Sequence, residues 1–138
     1  MKRDDFFRKE LATELRLVEN LVRNEPSMEK RIYYFSATYG ITGRTFRYSF
    51  SKDVLLADFV LTQVYSLLMD GFNQLLAGSE VIQLDSHHFE KICDALKELA
   101  YKLEACENIQ EPLQDMLATG FCIRGPGLYL TEKGSLVI

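Results

Sequence analysis

The residues best suited to chemistry lie between positions 30 and 52. Lys30, Arg31, Arg44, Arg47 and Lys52 stand there without a single Asp or Glu, and Tyr33, Tyr34, Phe35, Tyr39, Phe46, Tyr48 and Phe50 are interleaved with them. Cations neutralise phosphates, aromatic faces stack on bases, and arginine adds two-pronged phosphate contacts. Read as a loop, Gly40-Ile41-Thr42-Gly43-Arg44-Thr45 would turn backbone N–H groups toward an anion. It is not a P-loop, because its glycines stand too close together and arginine replaces the lysine. The five cations therefore form a candidate site for nucleic acid or a phosphorylated ligand. The competing reading puts the aromatics in the core and pairs the cations with acidic helices elsewhere.

Other constellations are thinner. His87, Glu90 and Asp94 share one face of a helix by their spacing, and imidazole with carboxylates can ligate zinc or iron. With only two histidines in the chain, such a site needs ligands from another helix; a solvated acidic face accounts for the same residues, and no metal or cofactor is assigned. Glu10 and Glu14 pair at one helical turn, as surface carboxylates often do. No G-x-S-x-G and no Cys–His pairing marks a nucleophile, which favours a non-enzymatic role. Cys93, Cys106 and Cys122 are odd in number and lack a C-x-x-C, so neither a disulfide framework nor structural zinc is expected.

In the last third, Leu99-Ala100-Tyr101-Lys102-Leu103, a break at Cys106-Glu107-Asn108, and a short helix ending Leu117-Ala118-Thr119-Gly120 resemble a helix-turn-helix. Phe121-Cys122-Ile123-Arg124 and Leu128-Tyr129-Leu130-Thr131-Glu132-Lys133-Gly134 resemble the wing of winged-helix regulators. The resemblance implies a recognition helix over Ile109 to Leu117, with Arg124 and Lys133 near phosphates. That helix carries Glu111 and Asp115 and no cation, which opposes a phosphate backbone. Residues 86–105 also read as one unbroken helix, where a winged-helix domain needs two.

The elements that must position these groups are mostly helices. The chain has 138 residues, enough for one domain with its own core. Its net charge of −4 argues against wholesale binding to nucleic acid or an anionic membrane. Phe7, Leu11, Leu15, Val18, Leu21 and Val22 recur at helical steps, predicting a first helix capped by Asp4 or Asp5 and ending near Asn24. Good helix formers at Met28-Glu29-Lys30-Arg31 predict a second helix to about Tyr39, followed by a loop; a hairpin over the same stretch is the alternative. Ser51 and Gly78 bracket a third helix. Its polar residues Asp58, Thr62, Ser66, Asp70 and Asn73 form a narrow stripe in an otherwise apolar surface. A helix that apolar is either the centre of the bundle or part of a dimer interface. It is long enough to span a bilayer, but its polar interruptions speak against that.

Asp85 or Ser86 opens a fourth helix, with Phe89, Ile92, Cys93, Leu96, Leu99, Ala100 and Leu103 on its apolar face. Asn108 caps a short fifth helix, which Gly120 ends. Residues 121–138 read as short strands with Gly-containing turns. The expectation is a single, mainly α domain: about five helices in a bundle with a short C-terminal β-hairpin. Its N-terminus has no signal-type apolar run, and its thiols are unpaired, as suits the cytoplasm. The leading function is a binding or assembly module that self-associates as a homodimer through residues 54–76 or the hairpin. Nucleic-acid or phosphorylated-ligand binding is the alternative.

Overall fold

The computed structural model describes residues 3–123, and they form five α-helices: α1 (Arg3–Asn24), α2 (Met28–Ser49), α3 (Lys52–Leu76), α4 (Ser86–Glu104) and α5 (Gln110–Cys122). Helix α1 packs on α2 and α4, α2 on α3, α3 on α5, and α5 on α4, so the helices close a ring in the order α1–α2–α3–α5–α4. Leu11, Leu15 and Val22 of α1, Phe35 of α2, Leu61, Val64 and Leu68 of α3, and Ile92, Leu96 and Leu99 of α4 are fully buried in one core. Each such side chain contributes on the order of 2 kcal/mol on leaving water.

Helix α2 departs from the sequence expectation. It continues through Gly40 and Gly43 to Ser49, where a loop was expected after Tyr39. Each glycine costs a helix interior about 1 kcal/mol. Tertiary packing overrides that cost, because Thr38, Thr42 and Thr45 extend the buried stripe begun by Ile32 and Phe35. The three hydroxyls stay satisfied: Thr38 donates to the Phe35 carbonyl at 2.7 Å, Thr45 to that of Ile41 at 2.8 Å, and Thr42 to Asp58 of α3 at 2.7 Å.

Two termini carry the same stop. After α3, Ser79 N–H bonds the Gln74 carbonyl and Gly78 N–H that of Leu75, with Gly78 at φ +87°. After α4, Glu107 N–H bonds the Lys102 carbonyl and Cys106 N–H that of Leu103, with Cys106 at φ 57°. Both are Schellman motifs; glycine takes the left-handed position freely and cysteine at a cost. At the N-termini, Asp85 caps α4 as expected; the N-cap position of α5 is Ile109, but it is the Asn108 side chain that accepts from the Gln110 N–H at 2.8 Å. Helix α1 begins at Arg3, which places Asp4 and Asp5 inside its first turn.

Helices α3 and α5 run parallel. Leu56 and Val60 share a groove with Leu113 and Leu117, Gly120 meets Leu67, and Ile123 meets Gly71. Gln83 N–H bonds the Ile123 carbonyl at 2.7 Å, so the segment between α3 and α4 holds the end of α5. By length and composition α3 could cross a membrane; in the bundle, Val54, Ala57, Leu61, Val64, Leu67, Leu68 and Gly71 are buried. The hairpin expected over 121–138 lies outside the described residues from position 124 onward. Phe121 and Cys122 close α5 and do not begin a strand.

Candidate functional site

The five cations singled out in the sequence are not brought together. Lys30 and Arg31 stand in the first turn of α2, Arg44 and Arg47 near its end, and Lys52 opens α3. The seventeen residue steps from Lys30 to Arg47 span roughly 25 Å of helix axis. The anion cradle expected at Gly40–Thr45 does not form, because its backbone N–H groups belong to the interior of α2. Arg44 engages Glu14 of α1, and that carboxylate raises the guanidinium pKa. Arg31 donates through Nε to the Glu25 carbonyl, and its guanidinium lies 5.4 Å from the centre of the Phe89 ring. Lys30, Arg47 and Lys52 stay exposed, with no ion pair among the described residues.

Arg31 instead lines a cavity of about 290 Å³ with Arg23, Phe89, Glu90 and Asp94. Arg23 bonds Glu19 and, at 2.9 Å, Asp94; burial works against its charge, but these carboxylates outweigh it and raise its pKa. Asp94 is thereby committed to an ion pair, while His87 and Glu90 are exposed. Among the described residues, no group of three His, Cys, Asp or Glu side chains could hold a metal ion. Behind the cavity, burial pushes the Cys93 thiol up to about 12. A thiol with that pKa is almost wholly protonated at neutral pH and is a poor nucleophile.

The segment resembling a helix-turn-helix contributes α4, a tight turn and α5. Pro112, Leu113, Met116 and Gly120 of α5 are buried, while Glu111, Gln114, Asp115 and Ala118 face solvent. No cation stands on that outer face. The wing residues, including Arg124 and Lys133, lie outside the described residues.

Further recesses among the described residues run along helix seams. Between α4 and α5 lies a charged one of about 360 Å³, with Lys91, Asp94, Glu98 and Asp115 on its walls. Between α3 and α5 lies an uncharged groove of about 230 Å³, lined by Leu56, Val60, Leu113 and Leu117 with Gln110 and Gln114. Between α2 and α3 lies an aromatic recess of about 270 Å³ that includes Tyr33, Tyr65 and Phe72.

The α3–α5 seam is where sequence reasoning was least specific. Much of the wide apolar surface of α3 is spent inside the bundle, yet Phe59 is 66% exposed and Leu56 38%. The signal was present in the spacing: Phe59, Ser66 and Asn73 follow one another at seven residues, which puts Phe59 on the polar stripe. On α5, Leu113, Leu117 and Phe121 follow at four-residue steps, with Phe121 exposed beyond the groove. No family model matches the chain, and neither a curated protein nor a solved structure matches it significantly.

Proposed function

We propose that this chain is a non-enzymatic assembly module that pairs with a second copy of itself across the face formed by α3 and α5. The observation that carries the reading is Phe59, an exposed ring one helical turn from Leu56 and next in sequence to Val60, both of which line a groove of side-chain dimensions. A protruding aromatic next to a recess is self-complementary: a twofold axis lets each copy insert its ring into the other's groove. Buried aromatic anchors of this kind dominate interface energies.

Charge favours the same face. Each copy carries a net charge of −4, so most surfaces would set like charges against each other. Among the described residues, the groove is lined by leucine, valine and glutamine, in a chain whose residues are 26% charged. Depletion of charge at the centre of a patch is the compositional mark of protein interfaces. The self-association expected from residues 54–76 is thereby narrowed to the N-terminal third of α3 together with α5.

The test is Phe59→Asp, read by size-exclusion light scattering. The variant should elute as a monomer with unchanged helicity under conditions where the parent is a dimer. If Phe59→Asp leaves the mass unchanged, the α3–α5 face is not the interface.

A further inference from the structure

The recess between α2 and α3 has a composition of its own. Tyr33 and Glu29 come from the first turns of α2, and Tyr65, Met69, Phe72 and Asn73 from the second half of α3. Tyr39 packs against Tyr65 at 5.2 Å between ring centres, which fixes that ring from the side. Three aromatic side chains and a thioether thus line a half-open space of about 270 Å³ together with Ile32 and Leu76, with one carboxylate and one amide among its lining groups. Among the described residues, no Lys, Arg or His lines it.

Aromatic faces and a carboxylate attract the same kind of guest, a cation. A primary ammonium group would bring three N–H donors, and Glu29 and Asn73 offer few acceptors to replace its lost water. An alkylated ammonium keeps the charge and presents methyl groups to the rings, so it loses little on entry. The volume lies just below the usual range for ligand pockets, which limits the guest to the size of a head group. A single carboxylate is too few ligands for a metal ion.

We infer that this recess binds a small alkylated ammonium compound, with Tyr33, Tyr65 and Phe72 providing aromatic faces and Glu29 the counter-charge. The reading is independent of self-association, which uses the N-terminal third of α3 with α5, whereas this recess lies on the second half of α3.

The experiment is an NMR titration of the full chain with choline and, in parallel, with dimethylbutanol, its uncharged carbon isostere. Choline should produce saturable shifts at the Met69 methyl and at the Tyr65 and Phe72 rings. The isostere should bind about tenfold more weakly, the loss of roughly one cation–aromatic attraction in a half-enclosed site. Tyr33 is 72% exposed, and Glu29 is also at the surface, so Tyr33→Leu and Glu29→Gln spare the core. Each should weaken choline by about threefold to fivefold. Equal affinity for the uncharged isostere would overturn the inference, as would the absence of saturable shifts or unchanged affinity in both variants.

Discussion

Arg8 donates its Nε–H to the carbonyl of Leu103 at 3.2 Å, tying the first helix to the last turn of the fourth. The same guanidinium reaches the carbonyls of Lys102 and Glu107, at 3.3 and 2.7 Å, and pairs with Asp53 in the first turn of α3. Arg8 is only 7% exposed, so one charged fork satisfies the negative end of α4 and gathers three helices at one end of the bundle.

Replacing Arg8 by methionine should therefore cost about 3 kcal/mol in urea unfolding, since it removes charge-assisted bonds to one buried and two part-buried carbonyls. Asp53 is 46% exposed, so the ion pair itself contributes little of that. Arg8→Lys should recover less than half of the loss, because an ammonium cannot span the divergent acceptors.

The helical glycines divide by what surrounds them. A methyl on Gly71 would lie 2.7 Å from Cγ2 of Ile123, whereas one on Gly40 would meet nothing within 4 Å. Gly71→Ala should destabilise by about 1–2 kcal/mol, overpacking outweighing the gain in helix propensity. Gly40→Ala should stabilise by about 0.5–1 kcal/mol. Opposite signs for the same substitution, measured by thermal unfolding, would locate the α3–α5 contact and show that α2 is continuous at Gly40.

The fold was legible where one periodicity dominated. The apolar stripe from Phe89 to Leu103 and the Asp85 cap located α4, because local and tertiary preferences agree there. The end of α2 was not legible, because Gly40 and Gly43 speak for a turn while the forces that keep the helix act through Thr42 and Asp58, sixteen residues apart. The placement of the cations was not legible for a related reason. A sequence segment shows composition, but Arg44 finds its partner thirty residues away in Glu14, and Arg31 turns toward Phe89. Arg8 carried no sequence signal that set it apart from Arg16 and Arg23 of the same helix, since an arginine normally faces solvent.

The thiols should separate into two classes. Cys106 and Cys122 are exposed and Cys93 is fully buried, with its thiol pushed up to about 12. Titration of the native protein with an aromatic disulfide reagent should modify two thiols promptly and the third only on unfolding. Rapid reaction of all three would contradict the packing of α1 against α4.

Asp85 gives a pH dependence of known sign. Its own burial acts to raise the carboxyl pKa, but hydrogen bonding from the His88 ring and from the backbone N–H groups of His87 and His88 outweighs this, so Asp85 titrates below its ordinary value. A depressed pKa in the folded state means that the charged cap stabilises at neutral pH, and that this contribution disappears as pH falls through the depressed value. Asparagine also caps well, so Asp85→Asn removes the charge alone. The urea midpoint of the parent should exceed that of the variant at neutral pH and converge with it in acid.

Self-association through α3 and α5 should show in sedimentation equilibrium of the full chain over a range of concentrations, as a concentration-dependent mass approaching twice the 15.9 kDa of one chain. A mass fixed at 15.9 kDa at every concentration would contradict it.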